Sequence, residues 1–263
     1  MRLTLTSHVR TVTRAGHNRP HEQLQALGAP PRLWLGDVTN EAADTKPALA
    51  TEDLWRETPL FSRWLTETPV ESLYGTTDGK TIGTYVEHEF HRYLRKLYDY
   101  EEGSSALGVD FPDLCVDLKV TSSMQPQSSS PFADASQKVY GLGYSLLILV
   151  YAKEDDDDMR AARLRVMNAV YIDALRTADH QTTKGIIEIL ERQGSADDLA
   201  AYFRERDLPL DDAGRARLAE RVLDDPPTLG YLTISNALQW RLQYGRALKM
   251  TTDSPHGLKD LLT

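Results

Sequence analysis

The segment from Val109 to Thr121, V-D-F-P-D-L-C-V-D-L-K-V-T, constrains the fold of this chain more than any other. Side chains of an extended strand alternate between its two faces, so the segment predicts a strand with one apolar face. Asp117 and Lys119 then project side by side from the other face. The residues of the apolar face are Leu114, Val116, Leu118 and Val120.

Two interpretations of Asp117 and Lys119 follow from this placement. The first is a surface ion pair on an edge strand, a type of contact that usually contributes little to stability. The second is a site for a divalent cation and a phosphate, because Mg²⁺ takes oxygen ligands from one or two carboxylates and from substrate phosphates. A neighbouring lysine can orient an attacking water or stabilise charge that develops on phosphorus.

An amphipathic helix is predicted upstream, from about Thr81 to Tyr98, because apolar residues recur there at spacings of three and four. Glu87 lies beside the apolar stripe, and Gly83 lies one turn earlier on the same face. A helical glycine costs about 1 kcal/mol relative to alanine, so it favours a place where a backbone or a ligand comes close. The alternative is a solvated glutamate next to a packing glycine.

These two segments together resemble the PD-(D/E)xK nuclease superfamily, in particular the MutH mismatch-repair nicking endonuclease group and its GATC-cutting restriction relatives. That group has Lys-x-x-Gly-x-x-x-Glu on a helix and then Asp-Phe-x-x-Leu-x-Val-Glu-Leu-Lys. Here the two patterns are K-T-I-G-T-Y-V-E, Lys80 to Glu87, and D-F-P-D-L-C-V-D-L-K, Asp110 to Lys119. The second acid is aspartate rather than glutamate, the loop between the patterns is longer, and the likeness beyond Thr121 is only a general one to type II restriction endonucleases.

The resemblance implies a restriction-endonuclease-like α/β fold, with a mixed central sheet flanked by helices and a helical C-terminal elaboration. It implies Mg²⁺-dependent, sequence-specific cleavage of double-stranded DNA, as in a type II restriction enzyme. The alternatives are a MutH-like nicking or repair endonuclease and a catalytically silent DNA-binding fold. The implied catalytic residues are Glu87, Asp110, Asp117 and Lys119, and the implied metal ligands are Asp110, Asp117 and the Leu118 carbonyl.

Asp113 competes with Asp110 for the role of the first aspartate, because it follows Pro112 and so forms a literal Pro-Asp pair. Proline and aspartate also favour tight turns for backbone reasons. The spacing to Asp117 favours Asp110 as the ligand and Pro112-Asp113 as a turn.

DNA-binding candidates lie on two segments. The loop from Thr121 to Phe132 leaves the predicted catalytic strand, and its glutamines can read adenine while its serines can contact phosphate or bases. The segment from Ser235 to Met250 is free of acid and predicts a final helix. The alternatives are an ordinary polar loop for the first segment and an amphipathic surface helix for the second. The predicted DNA-binding residues are Thr121, Ser122, Gln125, Gln127, Ser128, Lys138, Gln239, Gln243, Arg246 and Lys249.

The net charge of −9 does not exclude a DNA-binding protein, because binding depends on local patches of surface. Residues 1–21 contain no acid, while the run Glu154 to Asp158 is predicted to be a solvated loop. With 263 residues the chain is expected to form one elaborated nuclease domain. We expect an irregular arm at 1–50, a catalytic core at 51–172 and a mainly helical DNA-recognition elaboration at 173–263.

The remaining expectations concern location and partners. The single cysteine, Cys115, cannot form an internal disulfide and is placed on the Asp117 face of the strand as a packing residue. No apolar run is long enough to cross a bilayer, and no secretory signal is evident, so a cytoplasmic enzyme is expected. A palindromic DNA target would favour a two-fold homodimer. A restriction enzyme also implies a cognate DNA methyltransferase that acts on the same site without being a stable partner.

Overall fold

The structure is a computed structural model that describes residues 46–103, 108–236 and 239–263. The predicted irregular arm therefore lies outside the described residues except for 46–50. The helices are α1 (Thr51–Glu67), α2 (Gly79–Leu97), α3 (Gln137–Tyr140), α4 (His180–Glu191), α5 (Ala196–Glu205), α6 (Asp212–Asp224) and α7 (Gly245–Met250). The strands are β1 (Val116–Ser122), β2 (Gln127–Ser130), β3 (Ser145–Asp156), β4 (Ala161–Ile172), β5 (Thr233–Ser235), β6 (Trp240–Gln243) and β7 (Leu258–Asp260).

A mixed sheet of order β1-β3-β4-β7 lies at the centre of the molecule. β1 is parallel to β3, whereas β3 with β4 and β4 with β7 are antiparallel. The apolar run from Leu146 to Tyr151 is buried within β3, which lies between β1 and β4 in this sheet. The expectation of a mixed α/β fold is thus confirmed.

The two faces of this sheet bury different layers. On one face Leu118, Leu147 and Leu149 pack with apolar residues of α1 and α2. On the other face Leu146 and Ile148 pack with residues of a second, antiparallel sheet of order β2-β6-β5. A third cluster joins α4, α5 and α6.

Helices α1 and α2 are also joined by a buried polar contact. The Glu57 carboxylate is 6% exposed and accepts hydrogen bonds from the hydroxyls of Tyr93 at 2.6 Å and Tyr98 at 2.7 Å. Because a buried charge is tolerated only when it is hydrogen-bonded, this contact fixes how the two helices pack over the sheet. The position of α2 matters for the site, since α2 carries Glu87.

Local sequence signals mark the ends of three helices. α2 begins after Asp78, whose carboxylate accepts hydrogen bonds from the N–H groups of Lys80 and Thr81. Ser195 caps α5 through a hydrogen bond from the Asp198 N–H. α6 ends at Asp224, just before the Pro226-Pro227 pair that cannot continue a helix.

The predicted final helix over Ser235–Met250 is wrong. Trp240 to Gln243 form strand β6, and only Gly245–Met250 is helical. Burial in β6 alternates residue by residue, since Trp240 and Leu242 are buried while Arg241 and Gln243 are exposed. That period of two is the signature of a strand with one face covered. The C-terminal elaboration is therefore helical in α4–α6, and after α6 it consists of short strands together with α7.

Two smaller predictions are also corrected. Cys115 is exposed in a left-handed conformation, with φ of 51°, and precedes β1 instead of packing within it. The acidic run is not a loop throughout, because Glu154 to Asp156 complete β3 and only Asp157 and Asp158 lie in the turn to β4.

We predict that Leu147→Ala lowers the free energy of unfolding by about 2–5 kcal/mol, because a fully buried leucine leaves a cavity in the central strand. Urea unfolding measures the change. Leu175→Ala is the matched control, since Leu175 is 63% exposed and its loss should change stability by less than about 0.5 kcal/mol. Equal effects of the two substitutions would contradict the assigned core.

Candidate active site at the edge of the central sheet

Asp117 and Lys119 lie on β1, the edge strand of the central sheet. The predicted alternation is confirmed, because Leu118 is fully buried toward α1 and α2 while its two neighbours point to the opposite face. Asp117 is 2% exposed. The Lys119 Nζ lies 2.7 Å from Asp117 Oδ2, so the pair is not the exposed surface contact considered above.

Asp110 reaches the same strand from the loop before it. Its Oδ2 accepts a hydrogen bond of 2.8 Å from the Leu118 N–H. In an extended strand the N–H and C=O of one residue point to the same side, so the Leu118 carbonyl also points away from β3 and toward Asp110. The edge position of β1 is what leaves this side open.

The turn between Asp110 and β1 explains which aspartate enters the site. Pro112–Leu114 forms a single 3-10 turn, closed by a backbone bridge between Phe111 and Val116. Asp113 is exposed on this turn, as the sequence predicted for a turn residue. This single bridge returns Asp110 to β1, where its carboxylate contacts the Leu118 N–H.

Burial raises the pKa of the Asp117 carboxyl to about 7, and Lys119 opposes this shift. A side-chain hydrogen bond with Asp110 and the charge of Asp110 raise the pKa of Asp117 further, so the two carboxyl groups adjoin. The Lys119 ammonium, 2.7 Å from Asp117 Oδ2, stabilises the carboxylate but does not fully offset its burial. Lys119 stays charged, since the two aspartates raise its pKa by more than burial lowers it.

Glu87 faces this group from α2. Burial raises the pKa of the Glu87 carboxyl, the charge of Asp110 raises it further, and Lys119 lowers it. Glu87 is half-buried and is therefore not the remote, solvated glutamate of the alternative interpretation. A β-carbon placed on Gly83 would lie 3.7 Å from the Val120 carbonyl oxygen, so Gly83 lets α2 pack closely against β1.

Two tyrosines line the site on the side of the small sheet. The Tyr144 hydroxyl is hydrogen-bonded to Ser130 Oγ at 2.7 Å, and the Tyr244 hydroxyl is hydrogen-bonded to Ser128 Oγ. Burial raises the pKa of both phenols, and the negative charge of Asp117 adds to each shift. Neither tyrosine was singled out from the sequence, and the serine partner of Tyr244 lies 116 residues away along the chain.

Comparison with known proteins identifies the relatives of this chain. Residues 48–260 match the family model described as type II restriction enzyme NspV. The type II restriction enzyme NspV of Nostoc sp. (strain ATCC 29411 / PCC 7524) is 51% identical over 201 residues, which cover 76% of this chain and 91% of the relative. The chain belongs to the NspV family of type II restriction enzymes. No solved structure matches it.

Membership of the NspV family makes the protein a site-specific deoxyribonuclease, and hence a protein that binds DNA. The matched region contains every residue of the site described above. Within the described ranges, no helix is sufficiently long and apolar to span a bilayer.

The NspV-family enzyme uses three of the predicted DNA-binding residues in other ways. The Thr121 side chain is 6% exposed, and its hydroxyl is hydrogen-bonded to the backbone of Gln127 within the turn. Lys138 is 4% exposed and lies over the Trp240 ring at 5.4 Å. Ser128 points inward to Tyr244. These contacts occupy the three side chains, so the structure gives no support to DNA contacts by them.

The other predicted DNA-binding residues remain accessible in the NspV-family enzyme. Gln125 is exposed at the turn after β1, Gln127 is half-buried, and Ser122 accepts a hydrogen bond from the Met124 N–H at 3.2 Å. The remaining four, Gln239, Gln243, Arg246 and Lys249, are exposed, but they are divided between β6 with its preceding residue and α7.

Arg241 is the exposed residue of this segment that the sequence analysis missed. A helical interpretation separates it from Gln239 and Gln243, whereas a strand places all three on one face. The alternation of Trp240, Arg241, Leu242 and Gln243 between apolar and polar was the signal that could have revealed it.

No group of three histidine, cysteine, aspartate or glutamate side chains forms a ready metal cage among the described residues. This agrees with the chemistry of Mg²⁺, which usually keeps several waters and takes only one or two carboxylates from the protein. The acidic run around Asp155 forms no such group either.

The raised pKa of Asp117 predicts a specific pH dependence for the metal-free protein. Between about pH 4 and pH 7 the folded protein holds a proton that the unfolded chain releases, so the free energy of unfolding should fall as pH rises. Asp117→Asn should remove this loss and be more stable than wild type by about 1–3 kcal/mol at pH 8 with a chelator present. Urea unfolding across pH measures it, with exposed Asp158→Asn as control; identical curves for wild type and Asp117→Asn would contradict the assignment.

Proposed function

We propose that this enzyme is a Mg²⁺-dependent, sequence-specific endonuclease that hydrolyses phosphodiester bonds of double-stranded DNA through a PD-(D/E)xK site. The observation that carries the proposal is the Asp117 carboxylate, which is buried between the Lys119 ammonium, 2.7 Å away, and the adjoining Asp110 carboxylate. Burying a carboxylate costs free energy unless a cation or hydrogen bonds compensate its charge.

The residues present suit a hard cation. Asp110, Asp117 and the Leu118 carbonyl would hold it, since all three offer oxygen atoms at the open edge of β1. The adjoining carboxylates support this assignment, because a bound cation would offset both the burial of Asp117 and its repulsion by Asp110. When bound, Mg²⁺ would supply Lewis-acid stabilisation of the phosphate and activation of a water.

Lys119 is proposed to act on the reacting phosphate. Its raised pKa keeps the ammonium charged at neutral pH, so it serves as an electrostatic stabiliser or a hydrogen-bond donor to water and not as a general base. Glu87, whose raised pKa brings its titration toward neutrality, is placed to hold a water or accept its proton. Water attacks phosphorus directly, one P–O bond forms as another breaks, and no covalent enzyme intermediate is needed.

Because the motif resembles that of the MutH group, nicking of one DNA strand is the second candidate activity. A plasmid that carries the target site separates the two activities, because a double-strand endonuclease produces linear DNA whereas a nicking enzyme stops at the open circle. We propose double-strand cleavage, a two-fold homodimer on a palindromic target, and a cognate methyltransferase that protects the same site in the cytoplasm.

Asp117→Ala should lose DNA cleavage by at least about a thousandfold and still bind DNA, because the loss removes a proposed metal ligand but no proposed DNA contact. Single-turnover cleavage with Mg²⁺ and gel-shift binding measure the two properties. Asp113→Ala is the matched control from the same segment, since Asp113 is exposed on the turn. An Asp117→Ala enzyme that cleaves like wild type, or an inactive Asp113→Ala enzyme, would contradict the assignment of the catalytic aspartates.

Lys119→Ala should likewise abolish turnover, because the charge opposite the phosphate is lost. Cleavage is followed at saturating enzyme, so that weaker binding does not hide the chemical step. Lys184→Ala removes an exposed lysine on α4 and should cleave like wild type. Full activity of Lys119→Ala would remove Lys119 from the mechanism.

A further inference from the structure

The small sheet β2-β6-β5 presents an outward polar surface that no part of the mechanism above uses. Residues paired across strands point to the same face of a sheet. Gln127 pairs with Gln243 and Gln243 with Thr233, which forms one row across the three strands. A second row consists of Ser129, Arg241 and Ser235. We call these two rows the outer face.

Burial shows that the outer face is the open one. The alternate residues Trp240, Leu242 and Ile234 are at most 4% exposed and pack against the central sheet. Ser129, Arg241 and Gln243 are exposed, and the other three members of the outer face are partly exposed. Gln239, which precedes β6, is exposed as well.

The chemistry of the outer face suits nucleic acid. Strands β2, β5 and β6 contain no acidic residue in a chain whose net charge is −9. Among the residues that the structure describes, Arg241 forms no ion pair with a carboxylate, whereas many arginines elsewhere do. The Gln243 side-chain nitrogen donates to Ser235 Oγ at 3.0 Å, which holds the glutamine across the surface.

The outer face is rigidly connected to the candidate active site. Strand β2 starts only a short turn after β1, which carries Asp117 and Lys119. The hydrogen bonds of Ser128 to Tyr244 and of Ser130 to Tyr144 anchor β2 beside these residues. Since Ser128 and Ser130 point to the inner side of the small sheet, DNA held with a phosphate at Asp117 would pass the β2 edge to reach the outer face.

We infer that the outer face reads base edges in the DNA major groove and that Arg241 is a specificity-determining residue. This inference rests on the proposed function, since it takes the DNA at the Asp117 site as its occupant. Arginine reads guanine through a bidentate contact to O6 and N7, and glutamine reads adenine in the same way. A two-stranded β-ribbon fits the major groove, and β2 with β6 forms such a ribbon of four residue pairs.

The test measures discrimination between DNA sequences. The cleavage site of the wild-type enzyme is first mapped by sequencing the ends of digested plasmid DNA. Wild type, Arg241→Ala and Arg241→Lys are then compared on duplexes in which one base pair of the site is replaced at a time. Both kcat/KM with Mg²⁺ and competition binding without divalent metal are recorded. Arg63→Ala on α1, which packs against the opposite face of the central sheet, is the matched control for loss of one exposed arginine.

We expect Arg241→Ala to reduce discrimination about 5- to 150-fold at one G·C position and to leave the other positions unchanged. Arg241→Lys should lose most of this discrimination too, because an ammonium lacks the planar fork of the guanidinium. Arg63→Ala should discriminate like wild type. Circular dichroism and thermal unfolding of each variant verify that the fold is retained.

Two results would overturn the inference. Unchanged discrimination at every position in folded Arg241→Ala would show that Arg241 reads no base. A uniform loss of affinity for all duplexes, with a salt dependence reduced by about one counterion, would show a phosphate contact instead. If the wild-type enzyme does not cleave with Mg²⁺, the proposed function fails, yet the binding comparison still decides the role of Arg241.

Discussion

The buried contact between Asp117 and Lys119 is the interaction on which the rest of this structure depends. The central sheet removes the Asp117 carboxylate from water, and a single nearby ammonium only partly offsets that cost. The consequence is a carboxyl pKa of about 7. Such strained electrostatics concentrate at functional sites, where a ligand completes what the fold leaves incomplete.

The edge position of β1 explains how the site is assembled from distant parts of the chain. A central strand would have both backbone edges paired, whereas β1 leaves one edge for Asp110 to contact. The face of β1 that carries Asp117 packs toward the small sheet, and the other face packs toward α2. The proposed catalytic residues on β1 and the proposed base-reading face of the small sheet are therefore linked by the short turn between β1 and β2.

The local parts of this arrangement were predictable from sequence, and the non-local parts were not. Alternation placed Asp117 and Lys119 correctly, and turn chemistry placed Asp113 outside the site. The spacing of four between Gln239 and Gln243 fits a helix and a strand equally well, so it could not decide between them. The extended conformation of this segment is decided by the pairing of β6 with β2, and the two strands are more than a hundred residues apart in the chain. The inward roles of Ser128 and Lys138 depend on the same distant partners, Tyr244 and Trp240.

Iron-mediated cleavage of the protein itself tests directly whether Asp110 and Asp117 hold a divalent metal ion. Fe²⁺ substitutes for Mg²⁺ at oxygen-rich sites, and with ascorbate and peroxide it cuts the polypeptide next to the bound ion. Mass spectrometry of the fragments then locates the metal. If Asp110 and Asp117 hold the metal ion, the polypeptide should be cut beside them, and excess Mg²⁺ should suppress these cuts. Cuts confined to the acidic run Glu154 to Asp158, or a pattern unchanged in Asp117→Ala, would contradict this metal assignment.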